Sequence, residues 1–346
     1  MELIDVANLI IDKIKKDYKD DIAIVALCGS YIYNDTHPKS DLDFYFIPKT
    51  ERGREMSQCF ILNDIGFDFW GMSWSRAESL AKYNETNTSI ISKAKVIYYA
   101  SRDDLDRFNA LRNIGASIPQ NEFLLKAAKQ LERCEGFYFK MLEAGNDFSL
   151  AKQNAVWVLY YAAFSTALIN QRYIERGGRN LLAEVLAMPL YPKDFEHLYI
   201  RIIDSKNIDE MVLVAQTVIL NLRTLIQSQK EPGKSINPQG WYEELKSMYN
   251  KLLYECQTNN QQGIVLAIAR IDRDVSLMVS GAGHSYAQFT NLFSIWQKGS
   301  TELIQAINTH EKMLVDILER ESVPIVKYAD IIELQHHLDS AFEYEK

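Results

Sequence analysis

The chain has 346 residues, of which 47% are hydrophobic and 24% are charged, a composition typical of a folded protein with two or three domains. Its formal net charge of −8 disfavours a long nucleic-acid partner, because binding to such a partner requires a basic surface that neutralises phosphates. No apolar run approaches the ~20 residues of a membrane-spanning helix, and residues 1–19 lack the apolar core of a signal peptide. We therefore expect a cytoplasmic protein with no membrane partner and with reduced cysteines.

The first hundred residues mix helical and strand patterns. Apolar residues at steps of three and four predict an amphipathic helix over residues 2–18. Short apolar runs bounded by turn residues predict four strands, at residues 22–28, 41–47, 66–74 and 94–100. Ser75, with Glu78 three residues later, predicts a helix N-terminus between the last two strands.

Helical patterns dominate the chain after residue 119. They predict helices over residues 121–144, 149–176, 207–229, 241–258, 260–279, 300–320 and 326–343. Residues 231–240 contain two prolines and two glycines and are the best linker candidate. The predicted fold class is α+β: a small mixed-sheet domain over residues 1–118, then an all-α region with a helical domain at 119–230 and a further helical domain or extension at 241–346.

The segment Leu27–Phe46 carries the chemistry. Gly29 and Ser30 end one predicted strand, and the next predicted strand opens with Asp41-Leu-Asp43. Side chains at i and i+2 of a strand point the same way, so the two carboxylates are expected to lie together. Their repulsion is relieved by a divalent cation with oxygen ligands, most simply Mg²⁺.

A third carboxylate, Asp68, lies between Phe67 and Phe69 in a later predicted strand, where burial without a partner is costly. If that strand lies beside the Asp41 strand, three carboxylates can hold two metal ions and clamp a nucleoside triphosphate. Gly29 lets the backbone approach a phosphate closely, and Ser30 offers a hydroxyl and a backbone N–H to phosphate oxygens.

This arrangement resembles the nucleotidyltransferase superfamily of DNA polymerase β-like enzymes. The resemblance implies that Asp41, Asp43 and Asp68 are catalytic metal ligands, that Gly29 and Ser30 bind the nucleotide, and that the cofactors are Mg²⁺ and an NTP, with ATP expected. Many members continue Gly-Ser with a small residue, Arg and Gly, whereas this chain has Tyr-Ile-Tyr-Asn at residues 31–34. The missing Arg leaves open what holds the outer phosphate. Lys39 is one candidate, and a solvated turn lysine is the alternative.

A small catalytic domain followed by helices is most similar to the aminoglycoside and lincosamide nucleotidyltransferases. That resemblance implies transfer of an NMP group to a hydroxyl of a small acceptor that lies between the two domains. An aminoglycoside, in antibiotic resistance, is one option for this acceptor. The same resemblance implies that a Glu of the helical domain acts as general base beside a Lys. Glu122 with Lys126 and Glu135 with Lys140 are two options, although for both pairs a plain surface ion pair is favoured over a catalytic role.

Two alternatives to a small-molecule transferase stay open. One is a protein adenylyltransferase of toxin–antitoxin or regulatory type, and the other is an inactive nucleotide-binding sensor. The sequence does not determine the acceptor, the preferred base or the oligomeric state.

Overall fold

A computed structural model describes residues 3–229, 239–281 and 284–341 and divides the chain into two compact units, Met1–Lys230 and Glu231–Lys346. The strands are β1 (Ile22–Leu27), β2 (Phe44–Pro48), β3 (Gln58–Leu62), β4 (Ile65–Gly71) and β5 (Lys95–Tyr99). The helices of the first unit are α1 (Leu3–Lys13), α2 (Glu51–Arg54), α3 (Trp74–Ala81), α4 (Ser89–Ser92), α5 (Arg102–Leu111), α6 (Gln120–Glu143), α7 (Phe148–Ile169), α8 (Leu181–Leu186), α9 (Phe195–Asp204) and α10 (Ile208–Gln229). Those of the second unit are α11 (Trp241–Gln257), α12 (Gln261–Gly281), α13 (Leu292–Trp296), α14 (Ser300–Arg320) and α15 (Ile331–Ala341).

The five strands form one mixed sheet in the order β3-β4-β2-β1-β5. All neighbouring strands are antiparallel except β2 and β4, which run parallel with Phe44 opposite Phe69. Every residue of β1 is buried, which explains its uninterrupted apolar run. The predicted α+β class with a small mixed sheet is confirmed. The strand that contains Asp68, β4, lies beside β2, whose first residue, Phe44, directly follows Asp43.

The strand β3 was not predicted. It forms one edge of the sheet, and none of its side chains is fully buried, so its sequence lacks the apolar alternation of a half-buried strand. Its hairpin with β4 turns at Asn63 and Asp64, which both have positive φ angles of 52° and 61°. Such angles suit a two-residue hairpin turn.

Helices cover both faces of the sheet. One core contains Val6 and Ile14 from the N-terminal helical segment together with Phe44 and Phe69 of the sheet. A separate core on the other face joins sheet residues to α3 and α5. The residue that caps α3 is Ser73, whose side chain accepts a hydrogen bond from the Arg76 N–H, and the predicted cap at Ser75 is wrong by two residues. The predicted N-terminal helix is α-helical to Lys13 and continues as a π-helical turn over Ile14–Tyr18.

The rest of the first unit is a helical domain in which α6, α7 and α10 pack around one apolar core. The predicted helix at 149–176 ends early, at Ile169, because Gln171 adopts a left-handed conformation with φ 55°. The segment that follows contains α8 and α9, which the apolar periodicity did not predict. In the described residues, one helix, Ile208–Gln229, is long and apolar enough to cross a membrane by length and composition alone, and it packs against α6 and α7 here.

The second unit has its own core, formed mainly by α11, α12 and α14. His310 of α14 is fully buried in it and lies 2.7 Å from the Tyr249 hydroxyl and 3.1 Å from the Tyr286 hydroxyl. The Tyr286 hydroxyl in turn donates to Asp272 at 2.7 Å. Of the linker predicted at 231–240, residues 231–238 lie outside the described residues.

Candidate active site

The Gly29-Ser30 turn lies directly against the first two carboxylates. The strand β1 ends at Leu27, and the Cys28 N–H donates to the Asp43 carbonyl at 2.8 Å. Gly29 then takes φ 68°, and the chain enters a 3-10 turn over Gly29–Tyr33. A Cβ at Gly29 would stand only 2.5 Å from Cγ of Asp43, so glycine is required both by the left-handed conformation and by the neighbouring carboxylate.

Two turns, at Asn34 and at His37–Ser40, set the position of the backbone at Asp41. Asn34 ends the 3-10 turn in the left-handed conformation, with φ 53° and ψ 36°, which asparagine tolerates better than most residues. Further on, the His37 N–H donates to the Ser40 hydroxyl at 2.9 Å, and the Ser40 N–H returns a bond to the His37 carbonyl at 2.8 Å. The buried Ser40 therefore closes the turn that immediately precedes Asp41.

Asp41 and Asp43 lie close enough for the charge of Asp41 to act on Asp43. The predicted start of the strand at Asp41 is wrong, because β2 begins at Phe44 and both carboxylates precede it. Desolvation by the surrounding protein raises the pKa of Asp43, the negative charge of Asp41 raises it further, and a hydrogen bond from the Ser30 backbone N–H opposes both effects. The same carboxylates act on Cys28, whose burial, followed by the charges of Asp43 and Asp41, raises the thiol pKa to about 12. Two carboxylates with uncompensated repulsion and solvent access are suited to a divalent cation that also binds phosphate oxygens.

Asp68 occupies the neighbouring strand but differs from expectation in its burial. Strand alternation buries Phe67 and Phe69 and leaves Asp68 exposed, where its carboxylate accepts a hydrogen bond from the Cys59 thiol at 3.2 Å. Asp68 and Asp41 line the same open groove, of about 380 Å³, over the β3–β4 hairpin. No group of three or more His, Cys, Asp or Glu side chains that could hold a metal ion occurs among the described residues, so a ligand role for Asp68 stays a prediction.

A cavity of about 430 Å³ opens on the other side of Asp41. Gly29, Ser30, Lys39 and Asp41 line one wall of it, and the opposite wall is residues 175–180, the arginine loop, which has the sequence Glu-Arg-Gly-Gly-Arg-Asn and follows α7 in the helical domain. The volume is within the usual range of small-ligand pockets, roughly 300–1,000 Å³. The predicted phosphate-binding residues and a loop of the helical domain thus share one cavity.

The sequence interpretation missed the arginine loop. Its Arg176 and Arg179 lie more than a hundred residues from Asp41, and only their position on either side of two glycines, after a long apolar helix, marks them as an unusual turn. The two predicted general-base pairs lie outside the cavity. Glu122 forms an ion pair with Lys126 at 3.1 Å, whereas Glu135 pairs with Arg223 of α10 at 2.7 Å.

Residues 105–230 match the family model of the KNTase C-terminal domain, where KNTase denotes kanamycin nucleotidyltransferase. This match lies in the part of the chain where the resemblance carried by Gly29-Ser30 and Asp41/Asp43 implied a helical domain. The family match covers about a third of the chain and includes α6 to α10, most of α5 and the arginine loop.

Among solved structures, the chain is similar to a nucleotidyltransferase-like protein from Exiguobacterium sibiricum 255-15. The likeness covers 63% of this chain and 73% of that protein, at 13% sequence identity and a TM-score of 0.39. Comparison with curated proteins finds no match.

Proposed function

We propose that this nucleotidyltransferase transfers an NMP group from an NTP, with ATP as the expected co-substrate, to a hydroxyl of a small acceptor in an Mg²⁺-dependent reaction. The observation that carries the proposal is the cavity of about 430 Å³ in which Gly29, Ser30 and Asp41 face the arginine loop of the KNTase C-terminal domain. This cavity combines Asp41, which with the adjacent Asp43 is suited to a divalent cation, with arginines suited to phosphate oxygens.

In the proposed reaction Asp41 and Asp43 would hold Mg²⁺, which would supply positive charge to the triphosphate. The Gly29-Ser30 turn lets the backbone approach the phosphates, because no side chain stands between the turn and the carboxylates. Pyrophosphate leaves on the side of the arginine loop. Asp68 borders the groove on the other side of Asp41, where an acceptor hydroxyl can approach the nucleotide from the direction opposite to the leaving group.

The acceptor class is proposed on two grounds. The matched family takes its name from a kanamycin nucleotidyltransferase, and aminoglycosides are polycations. The chain carries a net charge of −8, and the groove beside Asp41 adds the carboxylate of Asp68 to an apolar floor that includes Phe60 and Phe67. A field of this sign attracts a cationic acceptor.

The test is pyrophosphate release from each of the four NTPs with Mg²⁺, against a panel of aminoglycosides and lincosamides. Wild-type protein is expected to release pyrophosphate only with a competent acceptor, and Asp41→Ala/Asp43→Ala is expected to release none. Asp106→Asn is a matched control, because Asp106 is an exposed carboxylate of the same unit that pairs with Arg102, away from the cavity.

Each other outcome identifies a different function. Transfer to a protein, seen as an NMP-sized mass increase of a polypeptide, would replace the small acceptor with a protein acceptor. Tight Mg²⁺-dependent NTP binding with no pyrophosphate release under any condition would identify a nucleotide sensor and overturn the transferase proposal.

A further inference from the structure

The arginine loop is held in one conformation by a single carboxylate. Glu184 of α8 accepts three backbone hydrogen bonds from this loop, from the N–H groups of Glu175 at 2.5 Å, Arg176 at 2.8 Å and Gly177 at 2.9 Å. Gly177 has a positive φ of 59°, which glycine adopts without steric cost. Because the backbone is fixed in this way, the two arginine side chains are presented to the cavity from a rigid base.

The charges of the loop are only partly compensated. Arg179 pairs with the carboxylate of Asp35 and also contacts its carbonyl at 3.4 Å, and Arg176 approaches the same carboxylate at 3.8 Å. The hydrogen bond from Arg179 keeps the pKa of Asp35 below its ordinary value, so this carboxylate is ionised at neutral pH. Glu175 pairs instead with Lys93 at 3.0 Å. Two guanidinium groups therefore share one aspartate at the cavity wall.

A second observation at the same place concerns Tyr33. The guanidinium of Arg176 lies over the ring of Tyr33, 5.0 Å from its centroid. The Tyr33 hydroxyl is buried and has no hydrogen-bond partner within the part of the chain that the structure describes. A buried hydroxyl without a partner is costly, and both residues line the cavity.

We propose that Arg176 and Arg179 bind the outer phosphates of the nucleotide, and that Asp35 is an internal anion which those phosphates displace. The inference rests on the proposed function, because it needs an NTP in the cavity. It assigns to the helical domain the task of the Arg that is missing after Gly29-Ser30. A guanidinium presents paired N–H donors that match phosphate as well as carboxylate, so the same two side chains can exchange one anion for the other.

The test is calorimetric titration of the full chain with Mg²⁺ and a non-transferable analogue of ATP, compared with AMP. Arg176→Ala and Arg179→Ala are each expected to weaken binding of the triphosphate by about tenfold or more, as loss of a charge-assisted bond implies, and to change AMP binding by less than about twofold. Arg223→Ala is the matched control, since Arg223 is a similarly exposed arginine of the same helical domain that pairs with Glu135. It is expected to bind both nucleotides like wild type.

Asp35→Asn separates the proposed role from a structural one. If Asp35 competes with phosphate, the variant binds the triphosphate more tightly than wild type, by about threefold or more, because the arginines no longer have a carboxylate to release. If Asp35 instead positions Arg179, the variant binds the triphosphate more weakly, and that result would overturn the proposal. Unfolding temperatures of all variants show whether each remains folded.

The remaining outcomes distinguish this inference from the proposed function. Loss of triphosphate affinity in the arginine variants supports the inference even where wild type releases no pyrophosphate. Normal triphosphate affinity in both arginine variants overturns the inference alone if wild type is an active transferase. Failure of wild type to bind any NTP overturns both.

Discussion

Replacing Gly29 by alanine tests whether the turn and the Asp43 carboxylate form one site. The new Cβ would stand 2.5 Å from Cγ and 2.8 Å from Cβ of Asp43, whereas ordinary contacts begin near 3.4 Å. The Asp43 side chain must therefore move by roughly 1 Å, a displacement that can cost an enzyme about 100-fold in rate, or about 2.7 kcal/mol in activation free energy. The left-handed conformation, with φ 68°, adds roughly 1–2 kcal/mol to the cost of folding.

Gly145→Ala is the matched control for this substitution. Gly145 also has a left-handed φ, of 55°, but a Cβ at this position would meet no atom within 4 Å, and the residue lies outside the cavity. The shared conformational cost is expected to lower the unfolding temperature of both variants by about 2–4 °C per kcal/mol in a unit of this size, and the clash with Asp43 is expected to add to the loss in Gly29→Ala only. Only Gly29→Ala is expected to lose Mg²⁺-dependent pyrophosphate release. Equal activity of the two variants would refute the reasoning, because the shared conformational cost would then be the whole effect.

Three further predictions concern titrating groups. Asp41→Asn removes a charge that raises the pKa of Asp43, and an acid whose pKa is raised by folding destabilises the folded state above that pKa. The metal-free variant is therefore expected to unfold at a higher temperature than wild type at about pH 7, and to bind Mg²⁺ and NTP more weakly. A lower unfolding temperature would contradict this prediction. The hydrogen bond to Asp68, followed by the charge of Asp68, raises the pKa of the Cys59 thiol. Asp68→Asn is therefore expected to speed the modification of this exposed cysteine by iodoacetamide at about pH 8, as followed by mass spectrometry. An unchanged rate would show that the contact is not formed. Burial lowers the pKa of His310 to about 4, so stability that is present above about pH 6.5 is lost as the pH falls toward 4, by roughly 3 kcal/mol in total. His310→Gln is expected to flatten this pH dependence of the unfolding temperature in thermal unfolding scans. A pH dependence equal to that of wild type would assign the effect to other groups.

The parts of the site that the sequence predicted are those encoded by local spacing. Asp41 and Asp43 lie together because they are two residues apart at a strand entrance, and Gly29 has the left-handed conformation that a strand-ending turn uses. The pairing of β4, which contains Asp68, with β2 was considered only as a condition, because apolar runs predict strands but not which strands are neighbours. The exposure of Asp68 was not predicted. A strand at this position exposes every second side chain, and Asp68 is on the exposed face.

The parts that the sequence did not predict depend on distant contacts or on exposed elements. Arg176 and Arg179 reach the cavity only because α7 stops at Ile169, and a left-handed residue such as Gln171 leaves no signal in apolar periodicity. In the sequence, nothing distinguishes Glu184 from an ordinary helix residue. Its role depends on three backbone hydrogen bonds that only the structure shows. The strand β3 was not predicted because it is an exposed edge strand, which forms without a buried face and so has no apolar pattern.

Among the described residues, the hydrophobic cores of the two units have no member in common. The residues that line the cavity, the proposed metal ligands and the arginine loop belong to the first unit. In evolutionary terms, the second unit is free to diverge, to be replaced or to acquire its own binding partner while the residues around Asp41 stay under separate selection. Relatives that share the first unit are therefore expected to differ most beyond residue 230.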